Sequence, residues 1–204
     1  GIYSDLLRTV RDNGHDVTIV SPAERRTGIS TNLSEVDGVR ILKVKTLNIT
    51  KANIVEKGLS TLAIEYQYLA AIKKYLSDVR FDIVLYSTPP ITFEKVISYI
   101  KKRDNAYGYL LLKDIFPQNA VDMGMIKRGG LIHKFFLRKE KRLYEISDTI
   151  GCMSQANVDF VVNNNSNIDK SKVVINPNSI EPKHIEYCEE EKNDIKNKYG
   201  LPLD

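Results

Sequence analysis

The sequence predicts an α/β fold in which a parallel sheet carries helices on both faces. Short apolar runs alternate along the chain with longer segments in which apolar residues recur at three- and four-residue spacing. The connections between these segments are short, and strand–helix alternation of this kind is typical of parallel sheets. The composition, 42% hydrophobic and 27% charged, is ordinary for a globular domain. No apolar run approaches the ~20 residues that a membrane-spanning helix needs.

The periodicity predicts the individual elements in order. Strands are expected at 17–20, 39–47, 81–86, 107–112, 149–153 and 173–175, and helices at 2–13, 55–70, 93–100, 131–147, 155–162 and 189–199. The polar stretch 24–37 is expected to be a loop. Ser87 and Thr88, which precede two prolines, are expected to cap the helix that follows them.

Two predicted helices are marked by apolar residues at helical spacing. On the first helix these residues are Ile2, Leu6, Leu7 and Val10. On the second they are Val55, Leu59, Leu62, Ala63, Tyr66, Leu69 and Ala70.

The strand ends predict where function lies. In open parallel sheets, functional residues follow the carboxyl ends of the strands. That rule selects 87–90, 113–117 and 176–179. The rule predicts where a functional site lies but does not identify the reaction.

The positive charge of the chain is concentrated in one segment. The net charge is +4, yet residues 127–142 contain seven basic side chains and one acidic one, a local charge of +6. The rest of the chain carries 23 basic and 25 acidic side chains. This distribution favours one basic patch and argues against a general nucleic-acid binder, which would be basic over more of its surface.

The basic segment is predicted to be a helix with two stripes. One stripe is cationic and consists of Lys127, Lys134, Arg138 and Lys141; the other is apolar and consists of Leu131, Ile132, Phe135, Phe136 and Leu143. The apolar stripe is expected to face the core. The cationic stripe is either a solvated helix face or a surface that binds anionic lipid headgroups.

Residues for metal or nucleophilic chemistry are not grouped in the sequence. His15, His133 and His184 are far apart, no Asp-x-Asp occurs, and no Ser-His-Asp or Cys-His set is recognisable. We therefore expect neither a metal nor a cofactor. Cys152 and Cys188 are expected to be reduced thiols.

Five segments together resemble family 4 glycosyltransferases, nearest to the subgroup that builds bacterial surface polysaccharides. They are LLRTVRDNGHDVTIV from Leu6, DIVLYSTPP from Asp82, KDIFP from Lys113, the spaced Glu140, Leu143-Tyr144, Asp148 and Ser154, and VVINPN from Val173. Each segment is weak alone. Their order and spacing cover nearly the whole chain.

The resemblance implies the amino-terminal, acceptor-binding half of a two-domain GT-B enzyme. Residues 1–182 would form a Rossmann-like domain, and 183–204 a charged helix and linker towards a carboxyl-terminal nucleotide-sugar domain. The family's first strand would be missing, with Gly1 as the end of the turn that follows it. Since that strand lies in the middle of the sheet, apolar edges are expected to be exposed.

The resemblance also suggests roles at the strand ends. Asp114 would hydrogen-bond an acceptor hydroxyl, or else cap the helix after Pro117. Lys113 stands where relatives carry His or Arg, and would pair with a phosphate or be a solvated strand end. The preferred interpretation of Ser87 and Thr88 is that they cap the following helix, although their hydroxyls also suit sugar or phosphate oxygens. Asn178 would lie at the interdomain hinge and bind the acceptor or a donor phosphate, or else it belongs to a simple turn. Tyr144, Asp148, Ser154 and Glu140 are expected to be framework residues.

The function expected from this resemblance is retaining transfer of a sugar from a nucleotide donor to a saccharide or lipid-linked acceptor in capsular or other surface polysaccharide synthesis. The enzyme would be cytoplasmic and peripheral at the anionic inner face of a bacterial membrane, without nucleic acid or metal. The alternatives are a non-catalytic module that binds a membrane or a partner chain, and half of a sugar-nucleotide epimerase.

Overall fold

A computed structural model describes residues 2–50, 54–179 and 188–202. Its helices are α1 (Ile2–Asp12), α2 (Ile54–Tyr75), α3 (Glu94–Asp104), α4 (Gln118–Asp122), α5 (Leu131–Ile146), α6 (Gln155–Asn164) and α7 (Glu189–Lys198). Its strands are β1 (Thr18–Glu24), β2 (Asn32–Val36), β3 (Val39–Thr46), β4 (Ile83–Ser87), β5 (Tyr107–Leu112), β6 (Thr149–Cys152) and β7 (Val173–Ile175). The α/β prediction is confirmed. Gly1, His184 and the start of the expected linker, 183–187, lie outside the described residues.

The main sheet contains four parallel strands in the order β4-β5-β6-β7. Leu85 of β4 pairs with Tyr109 of β5, Leu111 of β5 with Gly151 of β6, and Cys152 of β6 with Ile175 of β7. Each crossover contains a helix, which makes the domain Rossmann-like. Because all four strands run the same way, the loops after Ser87, Leu112, Cys152 and Ile175 share one edge of the sheet.

The second sheet corrects one prediction. It has the order β1-β3-β2, with β2 antiparallel to β3, so part of the expected loop 24–37 is a strand. All five residues of β2 are exposed, and a strand without a buried face leaves no apolar signal. Asp37 and Gly38, with φ of 52° and 73°, form the two-residue turn between β2 and β3. An Asp-Gly pair is typical of two-residue hairpin turns, so this pair is the sequence feature that predicts the β2–β3 hairpin.

The two sheets are separate, although they share a helical layer. Leu42 and Val44 of β3 pack in one cluster with residues of α2 and α3, and Val84 of β4 lies against the same cluster. Within the described residues, β1 pairs only with β3, and β4 only with β5. On β4, Ile83 is 63% exposed and Leu85 39%. The expected exposure of an apolar edge is therefore confirmed for β4.

The apolar spacing predicts α1 and α2 correctly as helices but does not identify the residues that they bury. None of the described residues of α1 is buried, so Ile2, Leu6, Leu7 and Val10 do not form a core face. On α2, Leu59, Leu62 and Tyr66 are exposed, whereas Ile64 and Ile72 are buried. The side chain of Val55 lies outside the described part of the chain. Apolar residues occur all around α2, so spacing alone supports more than one face.

The start of α3 also differs from the prediction. The helix begins at Glu94, and its N-cap residue is Phe93, which makes no side-chain capping hydrogen bond. Ser87 and Thr88 therefore do not cap it. The segment 88–93 runs as an irregular turn between β4 and α3 because two consecutive prolines withhold backbone donors and restrict the residues before them.

The buried face of α5 contains an ionisable pair. Glu140 is 5% exposed, and its Oε1 accepts a hydrogen bond from the Tyr144 hydroxyl at 3.0 Å. Burial raises the pKa of Glu140 from 4.5 to about 7, against the opposing effects of the Tyr144 hydrogen bond and the Lys141 charge. Glu140 and Tyr144 are thus framework residues, as expected.

We predict that Glu140→Gln stabilises the chain more at pH 8 than at pH 5. The unfolded state loses the Glu140 proton near pH 4.5 and the folded state only near pH 7, so wild-type stability falls as pH rises through that window. The neutral amide removes this loss. The substitution therefore raises the free energy of unfolding by about 2 kcal/mol more at pH 8 than at pH 5. Urea unfolding measures it, with Glu145→Gln, exposed on the same helix, as control. An equal effect of Glu140→Gln at both pH values would contradict the account.

Candidate functional site

Thr88 joins the loops that follow β4 and β5. It is 2% exposed; its N–H donates to the Leu111 carbonyl at 3.2 Å, and its hydroxyl donates to the Asp114 carbonyl at 3.0 Å. The N–H of Asp114 lies 3.4 Å from the same hydroxyl oxygen. Thr88 therefore fixes the backbone of 113–117 against the end of β4. Its hydroxyl is engaged inside the protein.

Asp114 is held by a neighbouring amide. The side-chain amide nitrogen of Asn119 donates to both carboxylate oxygens, at 2.6 and 2.7 Å. Asn119 is itself oriented, because its Oδ1 accepts the N–H of Ala120 at 2.7 Å. The N-cap residue of α4 is Pro117, which has no side-chain capping bond. The expectation that Asp114 caps this helix is therefore wrong.

A cleft of ≈ 330 Å³ opens at this position, between α4 and the first turns of α6. Its lining includes the polar side chains Lys113, Asp114, Gln118, Asn119, Asp122 and Asn157 and the apolar side chains Leu112, Ile115, Ala156 and Phe160. A groove with both kinds of lining can hydrogen-bond hydroxyl groups and cover the apolar side of a ligand ring.

Lys113 brings a cation to the cleft. It is half-buried, and burial lowers the pKa of its ammonium group. In the described ranges no carboxylate forms an ion pair with it. An anion bound in the cleft would therefore gain a charge partner that the protein does not already use.

The amino end of α6 forms the opposite wall. Ser154 caps this helix by accepting the N–H of Asn157 at 3.3 Å, in agreement with its expected framework role. The hydroxyl of Ser154 also lies 3.2 Å from Oδ1 of Asn157. Asn157 is thereby positioned at the cleft.

The remaining site candidates lie elsewhere. Ser87 ends β4 and is half-buried, and Asn178 is exposed; neither lines the cleft. After β7, the side chain of Asn176 is held in place, because its amide nitrogen donates a hydrogen bond to the Tyr109 hydroxyl at 2.9 Å. Asn176 and Tyr109 pack over Gly151, where an added Cβ would lie 2.9 Å from Cβ of Asn176.

Sequence reasoning missed Gln118, Asn119, Asp122, Asn157 and Phe160. They belong to helices that start after strand ends, whereas the placement rule was applied only to the loops. Extending that rule by one or two helical turns would have included these five residues.

The described residues offer no other reactive constellation. Burial raises the pKa of Cys152 to about 11, so this thiol stays protonated, and both cysteines are free. No three His, Cys, Asp or Glu side chains among them are grouped as metal ligands. Asp148 belongs to the framework: burial raises its pKa, but hydrogen bonds from Lys101 and the Gly108 N–H outweigh burial and lower it.

The cationic stripe lies on the surface, apart from the cleft. Lys127, Lys134, Arg138 and Lys141 are exposed, and within the described residues none of them has a carboxylate partner. By contrast, Lys139 contacts Glu65 and Glu94 at 3.5 and 3.7 Å, and Arg142 contacts Glu94 at 3.7 Å. The four residues predicted from the sequence are thus the ones whose charge is available to a partner.

The expected apolar stripe of α5 is only half buried. Phe136 packs on Phe116, with ring centroids 5.0 Å apart, and Leu143 is fully buried. Leu131, Ile132 and Phe135 are 87%, 62% and 42% exposed. The fully buried residues of α5 begin only at Glu140, so its amino-terminal turns extend beyond the core.

The fold and cleft define a Rossmann-like α/β domain with a cleft of mixed polar and apolar lining at the carboxyl edge of its sheet. The chain matches no model of a known protein family and gives no significant match to a curated protein. In the described part of the chain, no helix combines the length and apolar character needed to cross a bilayer.

We predict that Thr88→Val destabilises the chain by about 1–2 kcal/mol, because it removes a buried donor and leaves the Asp114 carbonyl without that hydrogen bond. Thr88→Ser is the matched control, since it keeps the hydroxyl and loses only a methyl group. Urea unfolding compares the two variants. If Ser costs more stability than Val, packing of the methyl group matters more than the hydrogen bond.

Proposed function

We propose that this chain is the acceptor-binding half of a retaining glycosyltransferase that moves a sugar from a nucleotide donor to a lipid-linked saccharide in surface polysaccharide synthesis. The observation that carries the proposal is the cleft around Asp114 at the carboxyl edge of the parallel sheet, which polar and apolar side chains line together. The resemblance of five ordered segments to family 4 glycosyltransferases supports it.

The chemistry of the cleft suits a saccharide. Asp114 accepts hydrogen bonds, and the side chains of Gln118, Asn119 and Asn157 both donate and accept them, as sugar hydroxyls require. Phe160 and Ile115 add apolar surface for the C–H side of a sugar ring. The orientation of Asp114 is set by Asn119 before any ligand binds, which reduces the entropic cost of positioning.

In the proposed reaction, an acceptor hydroxyl oxygen bonds to the anomeric carbon of the donor sugar while the bond from that carbon to the diphosphate breaks. The proton of the hydroxyl passes to a phosphate oxygen of the leaving group, so the protein need not supply a basic imidazole. Asp114 orients the acceptor hydroxyl, and Lys113 stabilises phosphate charge. Orientation of this kind contributes a large part of the rate in a two-substrate reaction.

In the GT-B enzymes that the five segments resemble, the nucleotide belongs to the second domain, and the proposal leaves it there. The cationic stripe would hold the enzyme on the anionic cytoplasmic face of a bacterial membrane, where a lipid-linked acceptor resides. The same unpaired stripe also favours a second candidate, a non-catalytic membrane-binding module. Activity of the assembled enzyme distinguishes the two.

We predict that Asp114→Asn, in the enzyme that contains this domain, lowers turnover on the order of a hundredfold with little change in melting temperature. The amide keeps the shape and one of the two hydrogen bonds from Asn119, through its remaining oxygen, but loses the charge that orients the acceptor hydroxyl. Asp122→Asn is the control, because Asp122 lines the same cleft but lies 3.8 Å from Arg128 at the exposed rim. An Asp114→Asn enzyme that melts early and keeps its specific activity would show a structural role.

We predict that replacing Lys134, Arg138 and Lys141 with Gln weakens binding to anionic vesicles by roughly 1 kcal/mol per cation that reaches the headgroups. Sedimentation with anionic and neutral vesicles at 0.1 M and 1 M salt measures the effect, since the screening length falls from ~10 Å to ~3 Å. The control variant replaces Lys74, Lys102 and Lys170, which are exposed elsewhere, with Gln. Equal losses in both variants would show that only net charge matters.

A further inference from the structure

Five large apolar side chains are exposed within residues 123–135, the segment that leads into α5 and its first turns. They are Met123, Met125, Leu131, Ile132 and Phe135, exposed by 65%, 72%, 87%, 62% and 42%. We call this group the apolar tip. Exposed apolar side chains grouped in this way mark an interaction surface.

The tip is built on ordered backbone. The N–H groups of Met125 and Ile126 both donate to the Ala120 carbonyl, at 2.8 and 3.1 Å. The Gly130 N–H donates to the Lys127 carbonyl at 3.1 Å, and the Gly129 N–H lies 3.3 Å from Nδ1 of His133. These contacts close the loop against α4 and the first turn of α5.

The helix turns the tip away from the core. Residues nine positions apart in an α-helix point in opposite directions, since 3.6 residues make one turn. Leu131 is therefore opposite Glu140, and Phe135 is opposite Tyr144, two residues of the buried face. The outer face of α5 therefore carries Leu131 and Phe135 beside Lys134 and Arg138.

The cations that border the tip identify the partner. Lys127 lies in the tip's own loop, and Lys134 and Arg138 follow on the outer face, all without a carboxylate partner within the described residues. Apolar side chains followed by cations match an anionic bilayer, whose headgroups attract the cations and whose acyl chains accept the apolar groups. A second copy of this chain would bring the same positive charge against itself.

We propose that the apolar tip inserts into the leaflet of an anionic membrane while the cationic stripe lies at the headgroups. This inference rests on the membrane attachment in the proposed function and adds how deep and in which orientation the domain binds. Asp122, a cleft residue, directly precedes Met123 of the tip. Insertion therefore brings the cleft next to the membrane surface, where the saccharide of a lipid-linked acceptor would emerge.

The absence of Trp from the sequence allows a direct test. In Leu131→Trp the single indole reports insertion through the blue shift of its emission and through quenching by lipids brominated on their acyl chains. Tyr107→Trp is the control, because Tyr107 is 47% exposed at the amino end of β5, the opposite edge of the sheet from the cleft. With anionic vesicles we expect a blue shift and quenching at position 131 and neither at 107.

A second variant pair tests the energetics. Leu131→Ser with Phe135→Ser lowers partitioning into anionic vesicles about tenfold or more, because two apolar side chains lose their burial in the acyl region. Leu59→Ser with Leu62→Ser, a matched change on the exposed side of α2, leaves partitioning unchanged.

The outcomes distinguish insertion of the apolar tip from electrostatic attachment of the cationic stripe. Vesicle binding without a shift or quenching at position 131 would overturn insertion and leave the electrostatic attachment in place. Failure to bind anionic vesicles would overturn both, whereas the turnover of Asp114→Asn is measured independently. Concentration-dependent dimers that the double Ser variant abolishes would assign the tip to a second copy and overturn the proposal.

Discussion

The hydrogen bond from the buried hydroxyl of Thr88 to the backbone of Asp114 is the contact on which the candidate site depends. It joins the loop after β4 to the loop after β5, and the parallel register of the two strands brings those loops together. With the backbone fixed, Asn119 can hold the Asp114 carboxylate in one orientation. A polar cleft that is oriented before a ligand arrives follows from these contacts, and such preorganisation is what positioning a sugar hydroxyl requires.

Local patterns in the sequence were sufficient for the parallel sheet and for the position of Lys113 and Asp114 at its carboxyl edge. Strand residues and strand ends are marked by apolar runs and the polar residues that follow them, and parallel strands place those ends at one edge. The helix faces were less predictable. Spacing defines a face of α1 or α2 but not the element that covers it, and none of the described residues of α1 is buried. The sequence does not predict β2, because this strand has no buried side. It does not predict Asn119 and Asn157 either, because their role depends on tertiary contacts.

Charge in this domain has two distinct uses. Lys139 and Arg142 contact carboxylates of α2 and α3 and so contribute to packing, whereas Lys127, Lys134, Arg138 and Lys141 remain available at the surface. Helical spacing in the sequence already selected these four of the seven basic residues in the segment. The folded arrangement adds the carboxylates that Lys139 and Arg142 contact, and it reveals the exposed apolar tip beside the stripe.

The central claim is that the cleft around Asp114 binds a saccharide. Amide chemical-shift mapping of the ¹⁵N-labelled chain with a panel of hexose and N-acetylhexosamine glycosides tests it most directly. We expect the shifts of at least one glycoside to concentrate at Asp114, Asn119, Asn157 and Phe160, and to vanish in Asn119→Leu if that variant remains folded. Shifts concentrated instead at the cleft lined by Asp16, Arg40 and Arg80, or no shifts with any glycoside, would contradict the account.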